Sequence, residues 1–424
     1  MTSLEHAAAR PTRQRPWGLV VGIFLLAAAP RLAVVWSGLV PYAPDTGSYV
    51  IPAKNLVAGH GYVDNAGNPY ALRPPTYPIF LAAVFSLTGE SLPAVRVLQA
   101  LMAAAGAAAL TLWMAGRYGL GAGAAAGLVV ALDPILVPVP AFVLTEALGT
   151  LLVIAIVICL DQGLAGRRRG LLALAGFLGG AAALNTPITL LLVPWLLLTA
   201  GVMKAPRRPD WRAWVLALGF VIACVGAWTA RNYLARGDTV VIRDIGFASL
   251  VWATTEYDFD WLPSPYVPAW AEVDRKYRAI VAGRGDAQAH TDFLREAWHN
   301  FRNNPLLVLK RVAKANLWFW IEAPGSHIMG ELRPVRWLTF LFHQLQLLAL
   351  AVAVWALWRT GRLWAWSLWI SAVVYFALFL SLMMPVPRYY VPLLPVVDTL
   401  IAAGLSLLAA LARSPEVIAT ATPG

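Results

Sequence analysis

Long apolar runs, separated by short clusters of polar and charged residues, divide the chain. They cover 17–37, 97–116, 118–137, 141–160, 170–184, 187–203, 213–230, 337–358, 363–382 and 389–411. Most approach the roughly twenty residues that cross a hydrocarbon core of about 30 Å as a helix. Helix is the form expected, because lipid offers no partner for backbone N–H and C=O groups. A further run, 76–88, has thirteen residues and is too short to span. Positions 170–203 form 34 residues without a charge. One helix of that length would be about 50 Å long. Asn185-Thr186-Pro187 lies at its centre and breaks it, since proline disfavours a helical residue before it. The pattern predicts an all-α polytopic membrane protein with about ten transmembrane helices.

Charge sets the expected topology. Arg167-Arg168-Arg169 and Lys204, Arg207 and Arg208 flank the 170–203 hairpin, and both clusters are expected in the cytoplasm. Arg10, Arg13 and Arg15 place the tail 1–16 there too. They precede an apolar stretch as in a signal peptide, but that stretch runs on to Trp36 without a small-residue cleavage site. An odd number of spans must then separate the first loop from Arg167. The count works only if 74–88 lies in the interface. On this reading 17–230 is an N-terminal transmembrane module with an outer loop at 38–92. Residues 231–335 form a small extracytoplasmic segment, ending in an amphipathic interfacial helix at 305–321 that carries Lys310, Arg311 and Lys314. Residues 336–412 supply the C-terminal transmembrane helices, and 413–424 a second cytoplasmic tail. Arg31 falls inside the first run, where it either snorkels outward or is buried against a polar partner.

Composition agrees. Hydrophobic residues are 59% of the chain and charged residues 13%, against about half and a quarter in a soluble domain. The net charge of +11 fits cytoplasmic loops better than nucleic-acid binding, so no nucleic-acid partner is expected. Cys159 and Cys224 both sit in apolar runs, which predicts neither a disulfide framework nor a metal cluster. No Cys/His spacing calls for a bound metal, and no glycine-rich loop follows a strand to hold a nucleotide; no cofactor is expected.

The polar clusters fall on the predicted outer face. Transporters place ionisable groups nearer the midplane, where this chain offers Arg31, Asp398 and Glu146. Asp45 stands in Pro44-Asp45-Thr46-Gly47, which suits either a turn-capping carboxylate or a general base whose pKa is raised at the interface. Arg73, before Pro74-Pro75, is either a juxtamembrane anchor or a planar fork for a phosphate. Arg231 and Arg388 run against the positive-inside tendency. An anionic substrate or a lipid phosphate would explain them. His60 is a lone loop histidine, and the 252–270 stretch, starting at Trp252, is rich in aromatics and proline.

Several of these residues also form an ordered set. It comprises Pro44-Asp45 with Tyr49, 56–62 (Leu-Val-Ala-Gly-His-Gly-Tyr), and Arg73-Pro74-Pro75-Thr76-Tyr77-Pro78. Further on come Arg96, Thr145-Glu146, Asn185-Thr186-Pro187, Ala227-Trp228-Thr229-Ala230-Arg231-Asn232, Asn304-Pro305 and Arg388-Tyr389-Tyr390. In this order the chain resembles the GT-C glycosyltransferases, among them bacterial relatives of protein O-mannosyltransferases and of the lipid A aminoarabinose transferase. The resemblance implies GT-C architecture in a bacterial inner membrane and a polyprenyl-phosphate-linked sugar as donor. The acceptor would be an envelope lipid, polysaccharide or protein at the extracytoplasmic face. It makes Asp45 the catalytic base, with Arg73, Arg231 and Arg388 around the donor phosphate. Tyr49, His60, Tyr77, Glu146, Asn185 and Trp252 become candidates for the substrate groove. Many relatives carry a second acid beside the first; here Thr46 takes that place. Two other classes are a lipid-linked-sugar flippase and a non-catalytic envelope assembly subunit.

Overall fold

The computed structural model describes residues 16–40, 42–202, 209–237, 240–242, 286–322, 333–382 and 387–413. Among these residues the chain is helical, with one isolated antiparallel bridge between Val63 and Pro69. The first half contains α1 (Trp17–Ser37), α2 (Thr46–Val57), α3 (Thr76–Thr88), α4 (Leu92–Tyr118), α5 (Leu120–Leu132), α6 (Glu146–Gly166), α7 (Arg169–Ala183), α8 (Leu192–Val202) and α9 (Trp211–Arg236). The second contains α10 (Asp286–Asn303), α11 (Pro305–Ile321), α12 (Arg333–Arg359), α13 (Ser367–Leu382) and α14 (Leu394–Arg413), with a 3-10 segment at Pro387–Leu393 leading into α14. Seven helical stretches are long and apolar enough to cross a membrane, and four shorter ones are apolar, including α3, α5 and α7. The protein is a polytopic all-α membrane protein.

Local chemistry explains the breaks. The run 170–203 divides where expected: α7 stops at Ala183, and a 3-10 turn at Pro187–Thr189 intervenes before α8. The helix expected from 141 starts instead at Glu146. The preceding residues 133–145 hold Pro134, Pro138 and Pro140 and make only a short 3-10 turn. The helix expected to end at 230 continues to Arg236, where Gly237 closes it at φ 76°. Positive φ costs glycine little, which makes it the usual terminator. The outer loop also contains a helix that its polar composition hides. α2 carries Gly47 and Pro52, and its packing against α3 holds it in place.

Small residues set the helix spacing. Gly404 of α14 faces the backbone of Ala353 on α12, and a Cβ built there would lie 2.4 Å from Ala353 Cα. Gly176 of α7 meets the Ala217 carbonyl of α9 as closely. Glycine at such crossings lets two backbones touch, a recurrent basis of helix packing in membranes. Arg31 does not snorkel. It is 1% exposed and donates to the carbonyls of Ala27, Val130 and Ala131, at 2.8 to 3.0 Å. The last two are end-of-helix carbonyls of α5 with no partner in their own helix, so the guanidinium acts as a cap supplied by α1.

Candidate active site

Asp45 immediately precedes α2, yet its side chain makes no capping hydrogen bond. Only its backbone carbonyl serves the turn, accepting from the Ser48 amide at 3.1 Å and the Ser48 hydroxyl at 2.6 Å. The carboxylate is left for two arginines. Arg73 Nη2 reaches Oδ1 at 2.7 Å, and Arg388 Nη2 pairs with Oδ2. The Asp45 side chain is 31% exposed, whereas Arg73 and Arg388 are 12% and 17% exposed. Three segments far apart in sequence thus supply one ion triad.

Burial alone would raise the Asp45 pKa. The neighbouring charges of Arg73 and Arg388 and their hydrogen bonds outweigh it, and the pKa lies below the ordinary aspartate value. This reverses the expectation of a raised pKa at the interface: two charge-assisted hydrogen bonds favour the ionised form more than burial penalises it. Tyr49 behaves oppositely. Burial pushes its phenol up to about 12, so it remains neutral.

Each arginine is held from behind. Arg73 Nε donates to Ser48 Oγ at 2.8 Å, and its guanidinium lies 4.6 Å from the centre of the Tyr49 ring. Tyr49 meets Tyr77 edge-on at 5.3 Å. The Tyr77 hydroxyl donates to Gln99 Oε1 at 2.7 Å, and Gln99 Nε2 donates to the Pro140 and Phe142 carbonyls at 2.8 Å each. This chain joins α2, α3 and α4 to the segment before α6. On that side Glu146, the first residue of α6, faces Arg388, with Oε1 3.6 Å from Nε. Glu146 Oε2 is buried without a hydrogen-bond partner, as is Asn185 Oδ1. Both residues line one small cavity with Thr145, Thr189, Tyr389 and Pro392. Asn185 Nδ2 donates to the Thr145 carbonyl at 3.1 Å, and the Thr76 amide donates to the Leu184 carbonyl at 3.1 Å. The loop after α1, the segment before α6, the α7–α8 break and the 3-10 segment before α14 therefore gather at one end of the bundle.

Not every predicted site residue joins this cluster. Arg231 donates to the Tyr62 carbonyl, and to that of Tyr70 at 2.9 Å, and packs over the Tyr62 and Trp228 rings. It touches the triad only indirectly. The Tyr62 hydroxyl donates to the Arg73 carbonyl at 2.7 Å, and the Tyr70 hydroxyl to the Ser48 carbonyl at 2.9 Å. His60 is exposed just after α2 and belongs to none of these hydrogen-bond chains. Trp252 lies outside the described residues. Sequence reasoning missed Ser48, Gln99 and Tyr70. Of these, only Gln99, a polar residue within an apolar run, carried a signal. Among the described residues no three His, Cys, Asp or Glu side chains converge as a metal-binding group.

No family model and no curated protein matches the chain. Solved structures do. The archaeal oligosaccharyltransferase AglB from Archaeoglobus fulgidus, in complex with an inhibitory peptide and a dolichol-phosphate, matches with a TM-score of 0.53 and 11% identity. The match covers 96% of this chain and 52% of that one, so this chain spans about half of AglB. ArnT from Cupriavidus metallidurans bound to undecaprenyl phosphate gives a TM-score of 0.43 at 17% identity, covering 96% and 81% of the two chains. Its apo form gives 0.40 at 17%, covering 95% and 81%. The AglB match carries a conclusion about fold alone: the helices of this chain are arranged like those of the matching half of AglB.

Proposed function

We propose that the chain is a membrane glycosyltransferase using a sugar donor linked to a polyprenyl phosphate. Transfer would occur with inversion at the extracytoplasmic face, to a hydroxyl or phosphate of an envelope lipid, polysaccharide or protein. The observation that carries this reading is the carboxylate of Asp45 held between Arg73 and Arg388. A pair of guanidinium groups that binds one oxyanion is suited to bind another, and arginine matches phosphate geometry well. When the donor phosphate occupies both arginines, Asp45 loses the interactions that lower its pKa and becomes a stronger base.

The acceptor oxygen then attacks the anomeric carbon. As that bond forms, the bond from the anomeric carbon to the phosphate oxygen breaks. The electron pair leaves with the polyprenyl phosphate, and the acceptor proton passes to Asp45. Arg73 and Arg388 stabilise the charge that grows on the leaving phosphate. Glu146 Oε2 and Asn185 Oδ1 are buried acceptors that suit hydroxyl groups of the sugar. Tyr49 and Tyr77 brace Arg73, and Arg231 holds the loop that carries it. The same reading puts the triad on the outer face, with α3 in the interface.

The test is transfer by the full chain in liposomes supplied with polyprenyl-phosphate sugars, with products identified by mass. Asp45→Asn abolishing transfer while donor binding persists supports the reading. Unchanged transfer by that variant removes Asp45 as base. Movement of the donor between leaflets without transfer would instead indicate a flippase.

A further inference from the structure

A second polar cluster lies inside the bundle, away from the Asp45 triad, and the proposed reaction does not use it. Asp133, just after α5, is fully buried, as is Asp398 on α14. Both accept from a single atom, Gln346 Nε2 on α12, at 3.2 Å for Asp133 Oδ2 and 2.6 Å for Asp398 Oδ1. The shared donor brings the two carboxyl groups together around one nitrogen.

Their partners differ. Asp133 Oδ1 also accepts from the backbone amides of Ile135 at 2.7 Å and Leu136 at 3.3 Å. Asp398 Oδ2 has no hydrogen-bond partner. Arg31 supplies the nearest full positive charge, but its guanidinium donates to backbone carbonyls. His343 faces the cluster through Gln346 Oε1, 3.2 Å from Nδ1, while Nε2 lies 3.1 Å from the Trp320 carbonyl. Tyr390 and, beyond His343, Glu322 complete the titratable surroundings. With His343 neutral and both aspartates ionised, one arginine would face two carboxylates in a buried site. Two carboxylates this close do not both ionise in a dry site; they share a proton.

We infer that Asp133 and Asp398 form a proton-binding site, with Asp133 ionised and Asp398 a neutral acid donating its hydrogen to Asp133. Asp133 already has three donors that favour a carboxylate, whereas Asp398 has one donor and an oxygen left over. The shared proton fastens α5 to α14, and Gln346 adds α12. α14 follows directly from the 3-10 segment that carries Arg388, so this clasp anchors one arm of the ion triad. The site stands on its own contacts and does not depend on the proposed transfer reaction.

The test compares the full-length wild type with Asp398→Asn and Asp398→Ala in detergent or lipid, without an activity assay. The amide in Asp398→Asn can donate to Asp133 and accept from Gln346, so it replaces the protonated acid without titrating. Infrared spectra should show a carboxylic-acid carbonyl band in the wild type that is lost in Asp398→Asn. A group protonated only in the folded state loses its stabilising contribution as pH rises. The wild-type Tm should therefore fall by several degrees as the pH rises above the ordinary aspartate value. Asp398→Asn should match the low-pH wild type with a flatter profile, and Asp398→Ala should be lower throughout. An infrared band unchanged in Asp398→Asn would overturn the inference. So would a Tm for Asp398→Asn that is as low as that of Asp398→Ala, or stability that follows sodium concentration rather than pH.

Discussion

Asp45 immediately precedes α2 and Asp398 lies within α14, and their surroundings set the two aspartates apart. Asp45 is partly exposed and lies between two arginines, so its pKa is depressed. Asp398 is fully buried and shares one amide donor with another carboxylate. The difference teaches that depth in a membrane protein does not by itself decide what a carboxylate does; the ratio of donors to acceptors around it does. A carboxylate with an excess of donors is held as an anion and can yield its place to a competing anion. A carboxyl pair with too few donors has to supply one itself, by keeping a proton.

The sharpest way to break the comparison is Asp45→Asn. Loss of a general base lowers rates on the order of 10²–10⁴-fold, and transfer should fall by that much. Next, Arg388→Ala and Arg73→Ala should each reduce turnover by on the order of 10²–10³-fold. Lysine at either position should restore charge but not the fork, giving partial recovery, as steady-state kinetics would show. Gln346→Leu acts on the other region. It leaves two buried carboxyls without their common donor, at about 1–3 kcal/mol, and thermal unfolding should register the loss.

A smaller effect concerns pH. The lowered pKa of Asp45 keeps it ionised, and its pairing stabilises the fold, above the unfolded aspartate value. That contribution disappears as pH falls through the depressed folded value. Arg73→Gln should move the acid limb of the stability profile toward higher pH. Smallest of all, Tyr70→Phe removes one hydrogen bond to the Ser48 carbonyl. We expect an effect within about 1 kcal/mol, seen as a modest rise in donor KM with kcat unchanged.

Much of the fold was legible because lipid imposes simple rules. Apolar runs marked the long helices, and Asn185-Thr186-Pro187 marked the break between α7 and α8. α2 was not legible, because its glycine, proline and polar residues carry a loop-like composition while its packing on α3 comes from the tertiary structure. Asp45, Arg73 and Arg388 could each be singled out, and the resemblance put them at one site, but their direct pairing was not legible: Arg388 is 343 residues from Asp45, and no local pattern encodes that contact. Arg231 is a different case. Its charge and position suggested phosphate, whereas the structure engages it with the carbonyls of Tyr62 and Tyr70. Arg31 and Asp398 were visible as isolated polar residues in apolar runs, but Gln346 and Asp133, which give Asp398 its surroundings, drew no attention.

The contact of Gly404 with Ala353 has a mechanical consequence. Ala353 lies seven residues from Gln346 on α12, about 10 Å along the helix. Gly404 lies six residues beyond Asp398 on α14. The bare crossing is the fulcrum of two short levers whose far ends meet at one amide. A methyl group at position 404 would pry the helices apart at the pivot, so its cost would be felt two turns away, in the tilt that decides whether Gln346 still spans both carboxyls.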